Sequence, residues 1–263
     1  MTPAILLKFL QSDGNILLTL SSSTPTPSSI SSLLQELDIQ LPPERNSLVV
    51  DHFNYDSISA SEKHDVLLLP RPGAIRPGTV NYFGGPSAAA EKYIAFPRAV
   101  GQTLGNTSPL LAPILRAPET AYSYNPKEDA ETVEDPFATG SQLSLVTALQ
   151  ARNNARFVVL GSVEVLANEW FDAKIKPVES KAIAQRTANR DFSAAVSAWN
   201  FQEIGVLRVG NIKHHLAQSA DINASISNRS IAVTDDNPKI YRVKNEVVRS
   251  FSDPLNYCSC SSN

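Results

Sequence analysis

Cysteine is almost missing from this chain of 263 residues: the two it has, Cys258 and Cys260, stand near its last residue. With one residue between them they are too close to bridge each other in ordinary disulfide geometry, and two thiols alone do not make a structural zinc site. The scarcity suits a reducing compartment and equally a large domain in an oxidising one whose core needs no staple, so it excludes a disulfide scaffold without assigning a location. Long hydrophobic runs are missing too. Pro3–Leu10 is apolar but short, contains Lys8 and has no small-residue cleavage site after it. No window approaches the ~20 apolar residues of a membrane helix. Basic runs are absent: the net charge is −3 with both signs mixed, which argues against a nucleic-acid face and against a polybasic membrane patch. The chain has no G-x-G-x-x-G, no G-x-x-x-x-G-K-[ST] and no G-x-S-x-G, no H-x-x-x-H or C-x-x-C metal spacing, and no internal repeat.

What is present is a globular composition, 42% apolar and 19% charged. The pattern predicts a helix over Ala4–Gln11 stopped by Gly14, then a buried strand over Asn15–Leu20. Ser21–Ser29 reads as a loop, and Ile30–Leu37 as a helix capped by Ser28 or Ser29. Leu48–Val50, Val66–Leu69, Tyr93–Pro97 and Leu110–Leu115 read as strands, with Pro/Gly-rich Pro70–Pro86 as a surface excursion and Tyr122–Pro136 as an acidic loop. Gln142–Leu149 and Phe157–Leu160 are strands separated by the polar run QARNNAR, which reads as a tight turn or as a strand end plus a connection. Phe192, Ala195, Val196 and Trp199 repeat at helical spacing, with Asp191 placed to cap that helix and Gly205 to end it. Val206–Val209 follows as a strand, and Lys239–Lys244 alternates like an exposed strand. The fold class expected is α/β.

Candidate chemistry is thin. Gly161-Ser162 follows a strand, where open α/β sheets bind ligands, but a Gly-Ser turn is common. Asp51-His52 resembles a carboxylate beside a base, yet neighbours on a strand point to opposite faces. The same divergence argues against His214-His215 as metal ligands. Arg152, Asn153, Asn154 and Arg156 are the densest polar cluster beside a core strand; they suit an anion or glycan contact, and more simply the capping of backbone groups at a sheet edge. Trp170 and Trp199 read as core residues. Asn106, Asn223 and Asn228 open Asn-x-Ser/Thr sequons, which carry little weight in a chain so rich in serine and threonine. No cofactor or metal is called for.

Four blocks carry a resemblance: Val49–Asp56 (VVDHFNYD), with Asp51, His52, Asn54, Tyr55 and Asp56; Leu149–Arg156 (LQARNNAR), with Gln150, Arg152, Asn153, Asn154 and Arg156, followed by Gly161-Ser162; Gly205–Gly210 (GVLRVG), with Gly205 and Arg208; and His214-His215. In this order and spacing the chain resembles the 48-kDa subunit family of the oligosaccharyltransferase, the wheat-germ-agglutinin-binding-protein type of yeast. The resemblance implies a glutamine-amidotransferase-like α/β domain on the luminal side of the endoplasmic reticulum membrane. It also implies a non-catalytic role in assembling the complex that transfers a preassembled glycan from dolichyl diphosphate to Asn-x-Ser/Thr. The partners implied are the catalytic polytopic subunit, a ribophorin-type subunit and small membrane subunits. There is no family catalytic residue to carry over. Two other readings stay open: a small-molecule hydrolase or transferase using Asp51 and Gly161-Ser162, and a glycan-binding module using Trp170, Arg152 and Asn153.

The expected organisation is an α/β domain over 1–210, the start of a β-rich domain over 211–247, and an aberrant, unstructured tail over 248–263. The resemblance implies a signal peptide, first strands and a membrane helix that this sequence does not display. An α/β sheet short of its first strands exposes a pairing edge, so the isolated chain is expected to fold marginally and self-associate. Size-exclusion chromatography with a thermal melt checks this, and a monomer with a cooperative transition contradicts it.

Overall fold

Strand Arg156–Leu160 is buried at every position, and the architecture is arranged to cover it. The computed structural model describes residues 2–44, 46–74, 80–85, 91–105, 108–126, 135–178 and 184–206, together with four short strands further on. Two compact units divide between Gln202 and Glu203. In chain order the first contains α1 (Pro3–Gln11), β1 (Ile16–Thr19), α2 (Ser28–Glu36), β2 (Ile39–Gln40), β3 (Leu48–Val50), β4 (Val66–Pro70), β5 (Tyr93–Pro97), β6 (Thr103–Leu104), β7 (Leu111–Arg116) and β8 (Tyr122–Tyr124). After these come β9 (Ser144–Gln150), β10 (Arg156–Leu160), a 3-10 turn (Val163–Leu166), α3 (Asn168–Phe171), β11 (Lys174–Ile175), β12 (Gln185–Arg186) and α4 (Asn189–Asn200). The second unit shows β13 (Arg208–Val209) paired with β16 (Val247–Val248) and β14 (Lys213–Leu216) paired with β15 (Tyr241–Lys244).

The main sheet has the order β1-β10-β9-β7. Its one parallel pair joins β1 to β10, from Ile16 opposite Phe157 to Thr19 opposite Leu160; the other two pairs are antiparallel. The molecule is thus mixed α/β with a parallel-containing sheet. Pro113 lies in β7, whose pairing with β9 shifts register there; β7 ends the strand order, where a residue without an N–H is tolerated. The first unit also contains four two-stranded pairs, β2–β6, β3–β8, β4–β5 and β11–β12.

Alternation along β10 sends its side chains to two faces. Phe157 and Val159 join Leu10 of α1, Leu34 of α2, Ile39 and Leu149 in one core cluster. Val158 and Leu160 therefore face the other way, the side of Arg156, whose guanidinium meets Trp199 of α4. α4 buries Phe192, Val196 and Trp199, the stripe legible in the sequence. A smaller cluster joins Ala60, Val66, Leu68, Ala95 and Ile175, with Tyr55, Tyr93 and Trp170 packed against it. Among the described residues no helix is long and apolar enough to cross a membrane.

Several local expectations need correction. Pro27, not Ser28 or Ser29, occupies the cap position of α2, and Ser28 is its first helical residue. α1 ends at Gln11, and Asp13, not Gly14, takes the left-handed backbone (φ 63°) that turns the chain. α4 starts two residues before Asp191, which lies in its first turn and pairs with Arg71 at 2.9 Å instead of capping. That helix stops at Asn200 with Gln202 left-handed (φ 61°), well before Gly205. Tyr122–Tyr124, expected as loop, is a strand because β3 needs a partner: Val50 lies opposite Tyr122 and Leu48 opposite Tyr124. The sequons of Asn106, Asn223 and Asn228 and residues 249–263 lie outside the described residues.

Gly161 is a close approach. A Cβ there would lie 2.5 Å from the Val100 carbonyl oxygen and 3.0 Å from that of Leu145, both of them backbone atoms of segments bonded to Gly161. Gly161→Ala is expected to cost about 1–3 kcal/mol through overpacking. Gly73→Ala, which meets nothing within 4 Å, should stay within about 0.5 kcal/mol. Urea denaturation of the pair checks this, and equal midpoints contradict the packing argument.

Candidate functional site

The two densest motifs of the sequence build two polar centres in the first unit. The first is the turn after β3. Asp51 is fully buried, and its carboxylate accepts hydrogen bonds from the Phe53 N–H at 2.8 Å, the Asn54 N–H at 3.2 Å and Asn54 Nδ2 at 3.0 Å. The Thr120 hydroxyl, just before β8, lies 2.8 Å from both carboxylate oxygens. Asp56 is buried as well and accepts from Ser59 Oγ at 2.5 Å and from the Lys176 N–H at 2.8 Å, beside β11. An aspartate that bonds backbone N–H groups two and three residues on fixes a turn. Two of them five residues apart therefore tie β3, β8 and the chain near β11 to one loop. His52 points away from Asp51, to His64 and the Tyr122 hydroxyl, so the two neighbours form no carboxylate–imidazole pair.

The second centre is the β9–β10 hairpin, where QARNNAR forms a tight turn with Asn154 left-handed at φ 67°. Ala151 N–H donates to the Ala155 carbonyl at 2.8 Å, and Gln150 Nε2 reaches Asn154 Oδ1 at 3.4 Å. Asn153 Nδ2 donates to the Leu10 and Gln11 carbonyls at the end of α1, at 2.8 and 3.3 Å. From the other side Asn15 Oδ1 accepts the Arg156 N–H at 2.9 Å and Gln202 Nε2 at 3.1 Å, and Gln202 Nε2 also donates to the Asn154 carbonyl at 2.9 Å. Arg156 is 2% exposed. Its Nη1 donates to the Trp199 carbonyl, and its guanidinium carbon lies 4.5 Å from the centre of that indole ring, a cation–π arrangement. Burial lowers the Arg156 pKa from its ordinary value, with the charge interaction with Tyr82 opposing. Arg152 alone in the run is an exposed cation.

Gly161-Ser162 is bonded into the fold. Gly161 N–H donates to the Leu145 carbonyl and its own carbonyl accepts from Val100 N–H, both at 2.8 Å. Buried Ser162 accepts the Glu164 N–H through its hydroxyl, capping the 3-10 turn. Glu164 in turn holds Arg98 through Oε1 at 2.7 Å, and this hydrogen bond is the first reason the Arg98 pKa is raised, against the opposing effect of burial. No hydrogen bond joins Asp51 or His52 to Ser162 among the described residues. Trp170 packs on the smaller core cluster and Asn153 clasps α1, while Arg152, the third residue considered for glycan contact, is exposed. The side chains of Arg208, His214 and His215 lie outside the described residues; Arg208 pairs with Val248 across β13–β16, and His214 and His215 stand at adjacent positions of β14. Among the described residues no three His, Cys, Asp or Glu side chains converge to hold a metal.

Sequence reasoning missed Thr120, Asn15 and Gln202, the distant partners that complete both centres. No local pattern marks them, because each acts across 48 or more residues of chain. Asp51, Asp56, Asn153 and Arg156 serve as joints between segments.

A family model described as OST48, N-terminal domain, matches residues 1–203, the whole of the first unit. The chain belongs to the OST48 family. It is 34% identical over 218 residues to a Caenorhabditis elegans protein named dolichyl-diphosphooligosaccharide–protein glycosyltransferase 48 kDa subunit, covering 82% of this chain and 46% of that protein. Proteins of the same name from Drosophila melanogaster and Danio rerio are 33% and 34% identical over 210 and 208 residues, covering 80% and 79% of this chain and 45% and 44% of theirs. The chain therefore spans under half the length of these OST48 relatives.

A buried carboxylate that serves turn donors is structural before it is anything else. Asp51→Ala strands Thr120 and the Asn54 amide and should cost about 2–4 kcal/mol. Arg152→Ala, at an exposed position, should stay within about 0.5 kcal/mol. Chemical denaturation measures both; a D51A variant as stable as the parent would remove Asp51 from this role.

Proposed function

We propose that the chain is the N-terminal, luminal part of a non-catalytic subunit of the oligosaccharyltransferase. Its role is to hold neighbouring subunits of the complex at the endoplasmic reticulum membrane while another subunit transfers the glycan from dolichyl diphosphate to asparagine. The sheet with its one parallel pair is the core of an amidotransferase-like α/β domain, and β-rich material begins beyond Gly210. The observation that carries the reading is the family match over 1–203, joined to names that place the relatives as 48 kDa subunits of a glycosyltransferase. The hydrogen bonds of Asp51, Asn54, Asn153 and Arg156 to other segments of the chain support it: these motif residues are committed to scaffold bonds, as an assembly subunit requires. The partners are the catalytic polytopic subunit, a ribophorin-type subunit and small membrane subunits, and no cofactor is needed.

An affinity-tagged full-length protein, solubilised from microsomes in mild detergent, should bring down the catalytic subunit, and its depletion should lower glycosylation of an Asn-x-Thr reporter. The purified 263-residue chain, given a dolichyl-diphosphate oligosaccharide and an acceptor peptide, should form no glycopeptide. Repeated failure to recover the catalytic subunit, or turnover by the chain alone, overturns the proposal.

A further inference from the structure

A cleft of about 500 Å³ lies beside β6 and β7, within the size range of small-molecule sites. Leu104, Leu111 and Pro113 give it an apolar wall, and Thr103, Gln142 and Arg116 give it polar groups. Arg116 is exposed. Its Nη1 donates to the Ser141 carbonyl at 2.7 Å, which leaves the other N–H groups of the guanidinium fork for a ligand. Among the described residues no carboxylate pairs with Arg116, and none lines the cleft.

Behind the cleft stands an unpaired amide. Gln102 is fully buried, and neither its Nε2 nor its Oε1 finds a hydrogen bond among the described residues. Gln102 N–H donates to the Ser144 carbonyl at 2.9 Å, and Ser144 N–H to the Gln102 carbonyl at 2.7 Å. Ser144 also stands opposite Arg116 in the β7–β9 pairing. Residues directly opposite on antiparallel chains carry their side chains on one face. Gln102, Ser144 and Arg116 therefore form a row on one face, with the smallest side chain in the middle. The Ser144 hydroxyl is turned to the Val146 carbonyl at 3.1 Å and the Thr147 hydroxyl at 2.8 Å, so it does not serve the amide. Thr103 and Ser144, the neighbours of Gln102 along the chain and across the bridge, both line the cleft. The row thus runs from the buried amide, past a small residue, to the guanidinium at the cleft.

We propose that this cleft binds a small organic carboxylate with an apolar body. A carboxylate only accepts hydrogen bonds and a guanidinium only donates them, in matching planar geometry. The Gln102 amide adds an N–H donor for the carboxylate and a carbonyl oxygen for an N–H or O–H beside it. Leu104, Leu111 and Pro113 take the apolar body. A buried amide without a partner lowers stability where an apolar side chain of like size would not, and a ligand that reaches it past Ser144 satisfies it. One guanidinium, with no second cation lining the cleft among the described residues, suits a single negative charge better than a phosphate. A free acid and the end of a peptide both present this chemistry; the peptide end adds an amide N–H for Gln102 Oε1.

The test is a titration of the whole chain, followed through its backbone amide NMR signals. The probes are isocaproate for a free acid, N-acetyl-leucine for a peptide end, the uncharged N-acetyl-leucinamide, and inorganic phosphate. At least one acid should bind saturably in the millimolar range and shift the Thr103 and Ser144 signals, while the leucinamide and phosphate should not. Binding of both acids assigns the site to free carboxylates, and binding of N-acetyl-leucine alone assigns it to peptide ends. Arg116→Gln, at an exposed position, should weaken binding about tenfold. Gln102→Met, which keeps length and shape without the amide, should weaken it about fivefold, with its urea midpoint unchanged or raised. The proposal is overturned by an absence of acid binding, by equal binding of the leucinamide or of phosphate, by parent-like affinity in either variant, or by a lowered midpoint in Gln102→Met.

Discussion

Burial of β10 on both faces is the constraint on which the rest depends. A strand with helices above and below gains apolar contact along its whole length, but its ends then carry backbone groups and a cation away from water. Unpaired, each such group costs about 1–3 kcal/mol or more. The structure meets this with groups drawn from far along the chain: Asn15 takes the Arg156 N–H, Gln202 ties Asn15 to the hairpin, and the Trp199 backbone carbonyl takes the guanidinium. The hairpin, the first helix and the last helix are fixed by the same few bonds.

A similar economy governs the Asp51–Asp56 turn. Two buried aspartates organise it, and their acceptors are saturated by Thr120, Asn54, Ser59 and backbone donors. A carboxylate so engaged has no lone pair free for a reacting proton. The two centres join strands that are far apart in sequence, which is the property of a scaffold. The OST48 match over residues 1–203 and the first compact unit, Met1–Gln202, cover the same stretch of this chain.

Much of this was legible in the residues. Periodicity located α4 by its Phe192, Val196 and Trp199 stripe, and apolar runs located β1, β4, β5, β9 and β10, because core contact selects the same residues that the pattern displays. QARNNAR was legible as a turn of structural side chains. Local capping rules failed at Asp191, Gly14 and Gly205. Arg71 offered Asp191 a stronger partner, and non-glycine residues, Asp13 and Gln202, absorbed the left-handed backbone. The strand at Tyr122–Tyr124 was hidden, since three residues of mixed polarity become a strand only when β3 lies beside them.

The sequence alone determined the family, the α/β class and the apolar segments, because those depend on composition and spacing along the chain. Which polar residues meet was decided only in three dimensions. Asn15 and Arg156, Asp51 and Thr120, His52 and His64 are separated by loops whose closure no local propensity encodes; it is set by the packing of the elements between them. The chemistry of this protein lies in those meetings, and they exist only once the sheet has formed.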